Sequence, residues 1–197
     1  MKNIFIAFSL IAFIVSSCNS NTTKEEKQSS SDSAQVSSTD TSKKATSAVT
    51  NNSNPIDELL LHYLALKNAL VADDGSGAAT HGKELMETLA KFDQSKLNDQ
   101  QKKVFADMSD DCKEMAEHIS TNAGKIAHQR EHFDMMSTDI YDLVKVIKPQ
   151  QPLYVDQCPK YNGGKGAIWL SETKDIKNPY MGKSMPTCGT VKEELKP

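Results

Sequence analysis

Two cysteines near the C-terminus, Cys158 in Cys158-Pro159 and Cys188 in Cys188-Gly189, carry the sharpest chemistry in the chain. In an oxidising compartment two such thiols form a disulfide most simply. With Met181 and Met185 close by in sequence, they also suit a soft metal, because thiolate plus thioether selects Cu(I) over hard cations. The residues leave both readings open. His128 and His132 stand four apart, so a helix puts both imidazoles on one face, an arrangement that ligates Zn or Cu. Met135 and Met136 follow His132 by three and four positions and add thioethers to that helix. His128-Gln129-Arg130-Glu131-His132 also spells the HxxEH string of inverted zinc metalloproteases. Those enzymes need a distant acidic third ligand on another helix. After His132 the only glutamates are Glu172, Glu193 and Glu194, none in a helical pattern, so the string reads as a chance match. His62, His81 and His118 read as solvated residues on charged helices, and Cys112 as a buried, inert thiol. Gly163-Gly164-Lys165-Gly166 lacks a strand-turn-helix context and reads as a turn, not a phosphate loop.

Helices must position these groups. Asn54-Pro55 followed by Asp57-Glu58 is a helix start, with a side-chain cap, proline at the first helical position and acids at the positive end of the dipole. The apolar face from Ile56 to Leu70 runs until Asp73-Asp74-Gly75-Ser76-Gly77 breaks it. Ala78 to Phe92 reads as a second, weaker helix on Leu85, Met86 and Leu89. The third starts after Asn98, with Gln101 placed for a capping box, and buries Val104, Phe105, Met108, Cys112, Met115 and Ile119. The fourth follows Gly124 and repeats Ile126, Phe133, Ile140 and Ile147 every seven residues. Four helices on short connections predict a mainly α fold, an antiparallel four-helix bundle. Beyond Pro149, Leu153-Tyr154-Val155 and Ala167-Ile168-Trp169-Leu170 read as short strands in a loop-rich extension that packs on the bundle.

Residues 1–17 form a secretory signal: Lys2 is positive, Ile4 to Val15 is apolar, and Ser16-Ser17 are small. Val15-Ser16-Ser17-Cys18 resembles the lipobox of bacterial lipoproteins, which implies an acylated Cys18 as the mature N-terminus and a membrane anchor through its lipid. Asn19 favours the outer membrane, on its periplasmic face. Residues 19–54 hold 21 Ser, Thr or Asn among 36, too few apolar groups to fold, and read as a disordered tether of roughly 33 Å root-mean-square span. Residues 55–148 are then the helical bundle and 149–197 its Cys- and Met-containing tail, together one domain. That domain has 18 Lys and Arg against 22 Asp and Glu, a charge of −4 that excludes nucleic-acid binding.

The order of motifs adds a resemblance. Tyr63-Leu64, Asn68-Ala69-Leu70-Val71-Ala72-Asp73-Asp74, Gln129-Arg130-Glu131-His132-Phe133, Gln157-Cys158-Pro159, Trp169-Leu170-Ser171, Asn178-Pro179-Tyr180 and Met185-Pro186-Thr187-Cys188-Gly189 are similar to a bacterial domain-of-unknown-function family. It occurs as lipoproteins and fused to CusB-like periplasmic adaptors of heavy-metal (copper) efflux. The resemblance implies a non-catalytic, membrane-tethered periplasmic protein that captures or hands on copper, with heavy-metal efflux components as partners. The implied metal ligands are His132, Cys158, Met185 and Cys188, with Met136 as a fifth candidate. The family has methionine after its Cys-Pro pair where this chain has Lys160, which removes a thioether. The alternative is a scaffold domain with a structural disulfide between Cys158 and Cys188, and a zinc hydrolase ranks third.

Overall fold

A computed structural model describes residues 54–197; the lipobox with Cys18 and the tether lie outside the described residues. Four helices lead into a three-stranded antiparallel sheet. Helix α1 spans Asp57–Val71, α2 Gly75–Ala90, α3 Asp99–Thr121 and α4 Ile126–Ile147. Strands β1, β2 and β3 span Leu153–Cys158, Ala167–Ser171 and Thr190–Leu195. No helix among the described residues is long and apolar enough to cross a membrane.

Local chemistry sets the helix ends. Helix α1 begins at Asp57, two residues after the expected start at Pro55, and its N-cap Ile56 has no side-chain cap; Asn54 Oδ1 accepts from the Ile56 N–H (3.3 Å) and Asp57 Oδ2 from the Asn54 N–H (3.1 Å), which closes a turn ahead of the helix instead. Asn54 Nδ2 also donates to the Lys148 carbonyl (2.6 Å), joining the start of α1 to the end of α4. Helix α2 begins at Gly75, three residues before the expected Ala78. The reason is Asp74, whose Oδ1 accepts from the Gly77 N–H (2.9 Å) and turns the two glycines from breakers into a capped first turn. A Cβ on Gly75 would collide with the Ala123 carbonyl, so the close approach of the α3–α4 loop requires glycine. Asn98 and Gln101 form the expected capping box on α3, at 3.0 Å in each direction.

Each helix packs on the next in the chain, and β2 packs against both α4 and α1. The buried face of α4 is Phe133, Met136, Ile140, Leu143 and Val144; that of α1 is Leu59, Leu60, Tyr63, Leu66 and Leu70. Tyr63 links three elements. Its ring stacks on Phe133 (5.2 Å between centroids), its hydroxyl hydrogen-bonds Ser137 Oγ (2.8 Å), and it accepts the Leu170 N–H of β2 (3.1 Å).

Strand order is β2-β1-β3, with Asp156 opposite Trp169 on one side and Val191 on the other. Strand β3 was absent from the sequence expectation. Its first five residues are exposed, so Thr190-Val191-Lys192-Glu193-Glu194 has no buried alternation to read; it is a charged edge strand with a register shift opposite Val155/Asp156. The tail returns to the helices through Arg130, which donates to the Pro179 carbonyl (2.7 Å), the Leu70 carbonyl (2.9 Å) and Asp73 Oδ1 (2.5 Å).

Tyr63→Phe should leave the buried Leu170 N–H unpaired and destabilise the protein by about 1–3 kcal/mol, measured by urea unfolding. A second expectation concerns Asp156, which burial raises to about pH 7 against the attraction of Lys67. Between its ordinary value of 3.8 and about 7 the folded state holds a proton that the unfolded chain has released, so stability falls as pH rises through that window. Asp156→Asn should flatten this slope, giving a melting temperature about 3 °C or more above wild type at pH 8 and a smaller gap at pH 5.

Candidate metal centre

Three imidazoles converge where α3 ends and α4 begins. His118 comes from the last turn of α3, and His128 and His132 from successive turns of α4. The chain supplies this geometry locally. Asn122 caps α3 by donating from Nδ2 to the His118 carbonyl (2.8 Å), the Lys125 N–H closes a turn on the Asn122 carbonyl (2.9 Å), and α4 returns alongside. Gln129, fully buried, fixes the first turn of α4 by donating to the Gly75 carbonyl (2.9 Å) and the Ile119 carbonyl (3.0 Å).

One donor nitrogen from each histidine lies within 4.8 Å of the others. His128 Nε2 and His132 Nε2 are 3.1 Å apart. Nitrogens bound to one metal at 2.0–2.1 Å are separated by about 2.9 Å at right angles and about 3.3 Å at the tetrahedral angle, so this pair already has chelating spacing. His118 stacks on His132 with centroids 4.4 Å apart. Met115, one turn before His118, brings Sδ to 3.1 Å from His132 Nδ1, a thioether at the edge of the cluster. Glu131 Oε2 lies 3.4 Å from His128 Nδ1 and Glu114 Oε1 lies 3.8 Å from His118 Nε2. Glu131 thus holds the ring edge opposite His128 Nε2, the outer carboxylate that orients a ligating histidine. Burial, then the His118 and His128 charges, push the pKa of His132 below its ordinary value, which keeps it neutral and available to ligate.

The expected ligand set divides. His132 joins His118 and His128 and forms no metal-sized group with Cys158 and Cys188 among the described residues. Met136 is fully buried in the core. Cys158 and Cys188 do meet, as free thiols with Sγ atoms 3.2 Å apart. Met185 stands at the same corner, its carbonyl accepting the Cys188 N–H (3.2 Å). Asn178 braces this corner from both ends, donating to the Cys188 carbonyl (2.5 Å) and accepting the Tyr180 N–H (2.8 Å). Gly189 passes under Trp169 at a φ of +152°, where a Cβ would come within 2.9 Å of the ring. Burial opposes ionisation of Cys158, yet the Cys188 thiol, the Lys160 and Tyr161 N–H groups and Asn178 outweigh it and lower its pKa. Cys188, whose proton is held on Cys158, moves up. Lys160 is exposed and contributes its backbone N–H to Cys158.

The histidines missed by sequence reasoning are His118, His62 and His81, each read as solvated. His118 was masked because its partners come from another helix; the signal that was present is Met115-x-x-His118 facing His128-x-x-x-His132 across one short loop. His62 and His81 share Glu84 across α1 and α2. The HxxEH string places its glutamate on the outer edge of His128, away from His128 Nε2, and the third converging group is a histidine, so the arrangement is not that of the zinc protease.

Fold and site define a mainly helical domain with a small antiparallel sheet, a histidine cluster on α3 and α4 and a thiol pair at one corner of its tail. Residues 59–152 match the model of a family described as a protein of unknown function (DUF3347). That segment holds all four helices' site residues and stops short of β1, so both tail cysteines fall outside it. No curated protein and no solved structure matches the chain.

The two classes of thiol should separate chemically. Burial and Asp139, at 3.8 Å from Cys112 Sγ, push the Cys112 thiol far up. Iodoacetamide at pH 8 should therefore alkylate the native protein at the Cys158–Cys188 corner and spare Cys112 until denaturant is added, read by peptide mass mapping.

Proposed function

We propose that this protein is a non-catalytic metal-binding lipoprotein that captures or hands on copper, with His118, His128 and His132 as ligands. The observation that carries the reading is the 3.1 Å spacing of His128 Nε2 and His132 Nε2, while the Met115 thioether braces the opposite, Nδ1 edge of the His132 ring. Imidazole suits Cu and Zn alike, and the efflux-adaptor resemblance supports copper. The site is partly open, with His118 and His128 side chains 45% and 38% exposed, which suits exchange of a metal with a partner more than permanent storage.

The rest of the reading surrounds that site. The lipobox resemblance supports an acylated Cys18 and an outer-membrane anchor on the periplasmic side, and the helix order supports an antiparallel bundle. The efflux-adaptor resemblance supports heavy-metal efflux components as partners. A second reading, a scaffold domain, is favoured by one observation: the Cys158 and Cys188 thiols are 3.2 Å apart and need only oxidation to staple β1 to the loop before β3.

Titration of the reduced protein with Cu(I) against a chromogenic chelator separates the readings. Wild type should bind one equivalent at the histidines, and His132→Ala should weaken it about 100-fold or more. Affinity should fall on acidification, because protonated imidazoles do not ligate. Cu(I) binding indifferent to His132→Ala but abolished by Cys188→Ser would move the site to the thiols, and no binding by any form would leave the scaffold.

A further inference from the structure

Across the molecule's other helix pair, His62 on α1 and His81 and Glu84 on α2 direct ligand atoms at one point. His62 Nδ1 lies 3.1 Å and His81 Nδ1 2.7 Å from the same oxygen, Glu84 Oε2. The three donor atoms lie within 4.8 Å of one another. The contacts join residues 22 apart as well as one helical turn apart, so the convergence is set by packing of α1 on α2, not by helix periodicity alone.

We infer that His62, His81 and Glu84 form a second metal site, for a divalent first-row cation such as Zn(II), distinct from the histidine cluster of α3 and α4. Three features carry it. The first is the donor set: two imidazoles and a carboxylate with no sulfur belong to Zn(II), Mn(II) or Fe(II) chemistry and disfavour Cu(I). The second is spacing. A nitrogen and an oxygen bound at about 2.0–2.2 Å and at right angles stand about 2.9 Å apart, between the two observed separations, so a cation fits between the donors with little movement of the side chains, each neutral imidazole then carrying its hydrogen on Nε2. The third is the setting. His62 and Glu84 border an open groove of about 280 Å³ whose wall also carries Glu58, Glu87 and Asp93 against a single lysine, Lys91. That wall draws cations toward the site, and the open side leaves coordination positions for water.

The side chains are accessible: His62 is 20%, His81 33% and Glu84 43% exposed. A mere ion-pair staple between α1 and α2 would use the same contacts, and it differs from a metal site in what it binds. The two sites share no residue and no helix, and the second stands without the copper reading.

The test uses the full mature chain carrying His118→Ala and His132→Ala, which leaves only His128 of the other cluster. Titrated with Zn(II) by calorimetry at pH 7.5, this variant should bind one equivalent. Adding Glu84→Gln should weaken that binding at least 30-fold, and adding His81→Ala instead should do the same. Circular dichroism melts accompany each variant, so that loss of fold is seen as such; His81 lies on a part-exposed turn of α2, which makes its alanine variant the safer one. The inference is overturned if the double variant binds no Zn(II) above a His81→Ala control, or if Glu84→Gln lowers the melting temperature and leaves Zn(II) affinity unchanged. In either case Cu(I) binding by wild type is a separate measurement, so this site and the α3–α4 cluster fail independently.

Discussion

The contact on which the rest of the structure depends is the Tyr63 hydroxyl. Helices packed one on the next along the chain leave α1 and α4 to be joined, and β2 fills part of that gap. A strand lodged between helices brings backbone N–H groups into an apolar interior, where each must find a partner. Tyr63 solves this from α1: it takes the Leu170 N–H and bonds Ser137 of α4 with the same oxygen, while its ring covers Phe133. Full burial drives its pKa far upward, so the phenol stays protonated and keeps both bonds at any ordinary pH. Fixing β2 in turn fixes β1 beside it and hence the position of Cys158.

Periodic apolar residues and caps made most of the helical fold legible. Asn98 with Gln101 and the heptad spacing of Phe133 and Ile140 are local signals, and α3 and α4 follow them closely. Where local rules mislead, a tertiary contact is responsible. The glycines at 75 and 77 look like breakers until Asp74 is seen to cap them and Ala123 to press on Gly75. Strand β3 hides because an exposed edge needs no alternation of apolar residues; its only buried member is Leu195.

The same contrast governs the site. Proximity of Cys158 and Cys188 was readable from two cysteines in a tail too short for its own core. Joining His132 to them was not sound, because a helix face and a tail corner can lie on different sides of one domain. His132 faces α3, and its neighbours follow from the packing of α4 on α3. Histidine clusters built from two helices leave no mark in either helix alone, which is why His62, His81 and His118 each looked solvated. Only the pairing of helices brings scattered imidazoles together.

The two histidine clusters then differ in a way that ligand chemistry makes consequential. On α3 and α4 three imidazoles meet a thioether, and Glu131 touches only the outer edge of His128. On α1 and α2 the carboxylate lies at the centre and sulfur is missing. Charge follows from this. The first cluster carries no negative ligand, so protonating its imidazoles costs mutual repulsion, and the lowered pKa of His132 records that cost alongside burial. In the second, the Glu84 carboxylate lies against both rings and its own pKa is lowered, first by its hydrogen bond with His81. A soft, monovalent metal therefore suits the first environment, where no anion is needed to neutralise it, and a divalent cation suits the second, where an anion is already in place. Two metal classes would thus be sorted on one small domain by the placement of one carboxylate, with α2 and α3 packed together between the two sites.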